Sequence, residues 1–159
     1  NAALRAAWLT PELERTLQQS IWQLYDILLH GDAAALHEHF QRLYTSIPTD
    51  WYRKSPIAQY EGYFASVFYS HLASLGFPLV AEDTSLQGRL DLMLRAGSTV
   101  WLFEFKVVEG DAPTGEALAQ LMAKDYAAKY RAAPEVERLL QVGVEFSASR
   151  RQIVGWAVA

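Results

Sequence analysis

Three charged side chains interrupt two apolar stretches that otherwise have the composition of buried strands. Asp91 lies in the first stretch, and Glu104 and Lys106 lie in the second, separated by one residue. Between the stretches, Gly97-Ser98 is typical of a two-residue hairpin turn with glycine first. A hairpin that reverses there places Asp91 opposite Glu104. Because side chains alternate along a strand with a period of two, Lys106 is expected on the same face.

This face gathers two carboxylates whose Cβ atoms are expected about 5 Å apart. Like charges that close repel by roughly 3 kcal/mol at an effective dielectric near 20, so a sequence selected for its fold alone would have little reason to keep both. A divalent cation would relieve that repulsion. The structural alternative is a diagonal ion pair on an exposed sheet face, in which Asp91 contacts Lys106 or Arg89. We therefore predict a divalent-cation site at Asp91 and Glu104.

Capping residues, prolines and apolar periodicity predict three helices ahead of these strands. They are expected at about residues 11–30, 32–47 and 55–76, and the first two form a helical hairpin. Glu61 lies beside the apolar stripe of the third helix. It is either a residue that approaches the two predicted strands or a polar residue at the rim of the stripe.

Alternating apolar residues and turn residues predict a sheet interrupted by one long helix. The strands are expected at about 78–85, 88–96, 99–108, 138–146 and 151–158, and the helix at about 114–131. This order predicts the α/β class, with a mixed central sheet flanked by helices. We expect residues 1–54 to form the helical hairpin extension and residues 55–159 to form the core, in one compact domain that belongs to a longer protein.

Composition describes an ordinary globular chain and excludes several kinds of site. The 159 residues are 51% hydrophobic and 20% charged, and the formal net charge of −4 argues against a generic polybasic nucleic-acid binder. Because cysteine is absent, disulfides, thiolate zinc sites and a cysteine nucleophile are excluded. The four histidines lack metal-ligand spacing with nearby acids and receive no role. With no apolar run long enough for a bilayer and no signal peptide, a cytoplasmic setting without membrane partners is expected.

The order of helix, three strands, helix and strand resembles the PD-(D/E)XK nuclease superfamily, which has the restriction-endonuclease-like fold. Asp91 on the second strand and Glu104-Phe105-Lys106 on the third carry the motif. Glu61 occupies the place of the acidic residue often found on the first core helix of that superfamily. The resemblance covers roughly residues 55–159, which are the expected core.

A narrower resemblance rests on three segments, Gly88–Leu92, Phe103–Val107 and Ala117–Tyr130. They look like the nuclease-like domain at the C-terminus of bacterial proteins that bear an AAA-ATPase-like domain. The helical hairpin ahead of the core also recurs in that family. Leu90 stands where the superfamily usually has proline. The resemblance implies an ATPase-like domain as a partner in the full-length protein.

The resemblance also implies a role for each residue of the motif. Asp91 and Glu104 would bind magnesium or manganese, with the main-chain carbonyl of Phe105 as a further ligand. Lys106 would orient the attacking water or counter charge on the pentavalent phosphate. Glu61 would reach the metal from the helix side, directly or through water. The site is therefore expected to hydrolyse phosphodiester bonds.

The helix after the motif is expected to contribute to the same site. Glu116, Gln120 and Lys124 share one of its faces at a spacing of four, and the resemblance puts Gln120 near the metal. The implied function is a magnesium-dependent deoxyribonuclease, with DNA taken from the habits of the superfamily and RNA left open. The alternative is a catalytically silent nuclease-fold module that binds nucleic acid or a partner ATPase-like domain. The oligomeric state is left open.

Overall fold

The computed structural model describes residues 10–48, 61–85 and 88–159, and gives the backbone alone for Glu61, 82–85 and 88–90. Within these residues the helices are α1 (Pro11–His30), α2 (Ala33–Ser46), α3 (Glu61–Ala73), α4 (Glu116–Ala123) and α5 (Ala127–Arg131). The predicted bounds of the first two helices are confirmed. The predicted start of the third helix, at residue 55, lies outside the described residues.

The strands are β1 (Leu79–Ser85), β2 (Gly88–Ala96), β3 (Thr99–Val108), β4 (Arg138–Ser147) and β5 (Gln152–Val158). They form one sheet in the order β1-β2-β3-β4-β5. β3 and β4 are parallel, and the other neighbours are antiparallel. The predicted α/β class, with a mixed sheet flanked by helices, is therefore confirmed.

The hairpin between β2 and β3 has the predicted register. Gly97 at the turn has a φ of 61°, which is the left-handed conformation that glycine adopts without strain. The pairing runs from Ala96 opposite Thr99 to Leu92 opposite Phe103. The reversal at Gly97-Ser98 and the pairing as far as Leu92 and Phe103 are confirmed.

The single helix expected at residues 114–131 is wrong. The structure has α4 and α5 there, separated by a turn in which Asp125 adopts a φ of 48°. A left-handed residue cannot continue a right-handed helix, so the chain changes direction at Asp125. The change of direction buries Tyr126 and Ala127 against Leu102 on β3. Burial of this small second core explains why the chain does not continue as one straight helix.

The larger core lies on the face of the sheet that α1, α2 and α3 cover. Phe103 on β3 stacks between Trp101 and Phe105, with ring centroids 5.9 Å and 6.3 Å away. Phe68 of α3 meets Phe103 and Phe105 edge-on at 5.0 Å and 4.9 Å, and Phe40 of α2 stacks on Phe68 at 3.7 Å. All five rings are buried, and each contributes about 1.5–3 kcal/mol of apolar burial.

Side chains of the sheet hold the C-terminal end of α1. The indole of Trp101 donates to the carbonyl of Leu28 at 2.9 Å, and the hydroxyl of Thr99 donates to the carbonyl of Leu29 at 2.7 Å. Arg138 at the start of β4 donates to the carbonyl of His30 at 2.6 Å. These bonds satisfy carbonyls that have no partner within the helix itself. The helical hairpin therefore shares a core with the sheet, while the predicted boundary at residues 54 and 55 lies outside the described residues and stays a prediction.

The first half of α1 extends beyond this core. Leu13, Leu17, Ile21 and Trp22 are all exposed, with between 44% and 67% of each residue accessible to solvent. None of the helices in the described part of the chain is both long enough and apolar enough to cross a bilayer.

Candidate active site

The predicted site residues lie on the face of the sheet opposite the aromatic core. Along β3, Phe103 and Phe105 point into the core, so the alternate residues Glu104 and Lys106 point to the other face. Glu104 is buried, and 30% of the Lys106 side chain is exposed. The amine of Lys106 is therefore not enclosed in the hydrophobic interior.

The hairpin brings Asp91 of β2 to the same place. Continued by one residue, the register of Leu92 opposite Phe103 puts Asp91 opposite Glu104. One carboxylate oxygen of Asp91, Oδ2, accepts a hydrogen bond of 2.8 Å from the backbone N–H of Phe105. The Asp91 carboxylate thus lies against the backbone that joins Glu104 to Phe105, between the two strands.

Helix α4 packs directly over this face because a glycine lies beneath it. A Cβ at Gly143 on β4 would lie 2.3 Å from the backbone nitrogen of Leu118, which no real side chain tolerates. Gly143 is the register partner of Glu104. Without a side chain at this position, the α4 backbone approaches the sheet next to the charged residues.

Two ion pairs join α4 to β3. Lys106 pairs with Glu116, the first residue of α4. At the other end of the helix, the Nζ atom of Lys124 lies 3.2 Å from Oε1 of Glu104. The predicted face of α4 therefore meets the predicted carboxylate and amine, with each of the two β3 residues bound to a residue of opposite charge on the helix.

The remaining predicted site residues are Gln120, Phe105 and Glu61, and none of them takes part in the two ion pairs. Gln120 lies on α4 between the two ion pairs and is exposed to solvent. The Phe105 ring belongs to the aromatic core, and its backbone N–H faces Asp91. Glu61 begins α3, but its side chain falls outside the described residues, so its approach to the site stays a prediction.

The oxygen donors of the site are few. Among the residues that the structure describes, no group of three or more histidine, aspartate or glutamate side chains could hold a metal ion. Asp91 and Glu104 supply two carboxylates, and the backbone carbonyl of Phe105 is a third oxygen donor nearby on β3. Hard oxygen donors of this kind fit magnesium or manganese, which keep several waters of their own. The residues present therefore fit a magnesium or manganese ion that has few protein ligands.

A buried carboxylate on the next strand was not predicted from the sequence. Glu145 of β4 is the register partner of Lys106 and is only 2% exposed. Its carboxylate accepts hydrogen bonds from the backbone N–H groups of Thr114 and Gly115, just before α4, and from the Thr114 hydroxyl. The signal in the sequence is a single acidic residue inside the apolar run of β4, as Asp91 is inside the apolar run of β2.

The loop between β3 and α4 has a second anchor. Asp111 accepts hydrogen bonds of 3.0 Å and 3.1 Å from the hydroxyls of Ser147 and Ser149. These hydroxyls, and the Arg150 guanidinium 3.2 Å away, hold the pKa of Asp111 below its usual value. The loop that leads into α4 is therefore fixed to β4 and the turn that follows it.

The side chains of the site can bind both a cation and an anion. Carboxylate oxygens from β2 and β3 can bind a hard cation, and amines at Lys106 and Lys124 can bind an anionic substrate. The exposed Gln120 can donate to or accept from a bound group. Oxygen ligands beside amines are suited to chemistry on a phosphate ester.

Comparison with known proteins supplies a family and a relative. A family model described as the PD-(D/E)XK nuclease superfamily matches residues 59–156 of the chain. An uncharacterized protein in the vnfD 5' region of Azotobacter chroococcum mcd 1 is 50% identical over 158 residues, which is 99% of this chain. The chain spans 30% of the length of that relative. The family match includes Asp91, Glu104 and Lys106.

Proposed function

Since the chain belongs to the PD-(D/E)XK nuclease superfamily, we propose that it is a metal-dependent nuclease that hydrolyses phosphodiester bonds, with DNA as the favoured substrate. One observation carries the proposal. The Asp91 carboxylate contacts the backbone between Glu104 and Phe105, so the two acids of the family motif lie on one face of adjacent strands. A partly exposed amine, Lys106, follows on that face.

Asp91, Glu104 and the carbonyl of Phe105 would hold magnesium or manganese. When bound, the ion would neutralise charge on the phosphate and lower the pKa of water at the site. Glu104 is buried beside Lys124, which already balances a negative charge at that position. Glu61 on α3 is the further acid that the superfamily would bring to the ion.

Lys106 would orient the attacking water or balance charge on the phosphate as the bond breaks. Its pairing with Glu116 keeps the amine at the surface of the site, on the same side of the sheet as Glu104. Gln120 is exposed between the two ion pairs and would contact the substrate backbone. Lys124 would also contact a phosphate once Glu104 binds the ion.

The partners follow from the same proposal. Nucleic acid is the substrate, and an ATPase-like domain is the proposed neighbour in the longer polypeptide. The relative from Azotobacter chroococcum mcd 1 supports a longer polypeptide, because the chain spans 30% of it. Nucleotide hydrolysis by the full-length protein would test the neighbour separately from the nuclease.

Cleavage assays with two variants and a matched control test the proposed roles. Asp91→Asn removes a carboxylate of the site, Lys106→Ala removes the amine, and Glu109→Gln removes an exposed carboxylate just beyond β3. We expect each of the first two to slow cleavage of plasmid DNA in magnesium by at least about a hundredfold. The control should cleave at the wild-type rate, and a chelator should stop all cleavage.

Calorimetric titration with manganese separates the metal-binding role of Asp91 from the role of Lys106 in the cleavage step. The wild-type chain and Lys106→Ala should bind the ion, and Asp91→Asn should bind it at least about tenfold more weakly. Unchanged cleavage by both variants would refute the roles. Nucleic acid that is bound but never cut would favour the silent module, and cleavage of RNA in place of DNA would correct the substrate.

A further inference from the structure

We propose that Glu145 is a positioning residue of the nuclease site, which fixes the start of α4 so that this helix meets both Glu104 and Lys106. The inference rests on the proposed function. It adds to the site a residue of β4 that lies outside the motif on β2 and β3.

Glu145 binds the two residues that immediately precede α4. The buried carboxylate accepts from Thr114 N at 3.1 Å and 3.2 Å and from Gly115 N at 3.0 Å. The Thr114 hydroxyl donates to the same carboxylate. Both amides lie just ahead of Glu116, the first residue of α4, and a carboxylate is a strong acceptor for backbone N–H groups. Glu145 therefore ties the residues that lead into the helix to β4.

The surroundings of Glu145 leave the carboxylate little freedom to move. A Cβ at Gly155 on β5 would lie 2.6 Å from Oε2 of Glu145 and 3.1 Å from Cβ of Pro113. The space over Gly155 is thus filled by the Glu145 side chain and the loop before α4. Gly155 and Glu145 are register partners, so the sheet itself sets this arrangement.

The position of α4 determines both ion pairs of the site. Glu116, which pairs with Lys106, directly follows the two residues that Glu145 binds. Lys124, which pairs with Glu104, is the residue that ends the same helix. Because α4 is only two turns long and behaves as a rigid rod, a shift of its start moves both charged side chains. Glu145 thereby acts on the site through Glu116 and Lys124, with no contact to substrate of its own.

Two variants disturb the anchor in different ways. Glu145→Gln keeps the size of the side chain and removes its charge, and Gly155→Ala keeps the charge and displaces the carboxylate. Glu109→Gln and Gly110→Ala are their matched controls, because Glu109 is exposed and a Cβ at Gly110 would come no nearer than 4.0 Å to another atom. Activity is measured as kcat and KM for DNA cleavage in magnesium, per folded molecule.

We expect Glu145→Gln and Gly155→Ala each to lower kcat about tenfold with KM changed less than about twofold, since positioned groups act mainly in the transition state. In a Glu116→Gln background the further loss caused by Glu145→Gln should be smaller, because the part of its effect that passes through the Glu116–Lys106 pair is already lost. A merely structural role would instead lower the thermal midpoint and leave kcat per folded molecule unchanged. Unchanged kcat, or fully additive losses in the double variant, would overturn the proposal.

Amide hydrogen exchange gives a readout that does not depend on activity. The N–H of Ala119 bonds the carbonyl of Gly115 at 3.1 Å and reports the first turn of α4. Exchange at this amide should be at least about tenfold faster in both variants than in both controls. If the wild-type chain cleaves no nucleic acid, the proposed function fails, and the exchange rates alone still decide whether Glu145 holds α4. Unchanged exchange in both variants would overturn the positioning role even in a chain that cleaves DNA.

Discussion

The two faces of β3 are built from alternate residues of one strand and do different work. On one face Trp101, Phe103 and Phe105 are buried among the rings of α2 and α3. On the other, Glu104 and Lys106 meet charged side chains at the two ends of α4. The aromatic face holds the fold together by packing, and the charged face carries the groups suited to chemistry. The contrast indicates that stability and activity can be changed separately in the same strand.

The outer ion pair of the charged face contributes little to stability by itself. Lys106 and Glu116 both retain solvent contact, with 30% and 56% of their side chains exposed. Exposed pairs of this kind are worth about 0–1 kcal/mol. The Lys124–Glu104 pair is more enclosed, because only 5% of the Glu104 side chain is exposed. The close approach of α4 over Gly143 is a further structural feature of this face.

The largest expected loss of stability comes from a substitution on the aromatic face. Phe103→Ala should lower the free energy of unfolding by about 4 kcal/mol, because a fully buried ring is lost and a cavity remains. Lys106→Met on the same strand should change it by about 1 kcal/mol or less, yet abolish cleavage. Urea denaturation of both variants measures the difference. Equal losses of stability would mean that the two faces are not separable.

A smaller effect is expected where the charged face depends on backbone packing. Gly143→Ala should cost about 2 kcal/mol, since the added methyl group forces α4 away from the sheet. Gly62→Ala is the matched control, because a Cβ there meets nothing within 4 Å on an exposed helix position. The control should gain about 0.5–1 kcal/mol from the lower flexibility of the unfolded chain. A thermal midpoint for Gly143→Ala at or above that of the control would contradict the close packing.

The smallest effect concerns a polar contact on the aromatic side. Nε2 of His39 on α2 lies 2.7 Å from Nε2 of His71 on α3. Burial, together with His71 and Arg42 nearby, lowers the pKa of His39 to about 4, and burial also lowers the pKa of His71. As the pH falls from 6.5 towards 4, the unfolded chain binds protons that the folded chain does not, so the folded state loses stability.

This loss should be about 1 kcal/mol or less, because each imidazole keeps part of its solvent contact. Urea midpoints of the wild type and of His39→Gln, measured at pH 7 and pH 5, check it. The variant should have the flatter pH dependence. A wild-type stability that rises as the pH falls would contradict the direction of both shifts.

The sequence predicted the parts of the fold that local patterns determine. The reversal at Gly97-Ser98 needs only a glycine with positive φ, and it set the register that runs to Leu92 opposite Phe103, next to Asp91 and Glu104. The helical face of Glu116 and Lys124 was predicted from a spacing of four, and both residues contact β3. Periodicity and turn residues were sufficient for these elements because each depends on neighbours in sequence.

The features that the sequence did not predict depend on contacts between segments that are distant along the chain. Asp125 adopts a positive φ because the following residues pack on β3, and nothing in the local sequence requires that conformation. Glu145 was missed because its partners, the backbone groups of Thr114 and Gly115, become visible only when β4 is placed beside the loop.

The parallel pairing of β3 with β4 imposes an order of assembly on the folding chain. The β1-β2-β3 meander joins strands that follow one another directly, whereas β4 reaches β3 only after the chain has passed through α4 and α5. Loop closure over that longer path costs more conformational entropy than closure of the hairpins. In the nascent meander, the edge of β3 that later pairs with β4 stays open until Arg138–Ser147 arrives. The candidate site is consequently completed late in folding, whereas the β-hairpin that supplies Asp91 forms early.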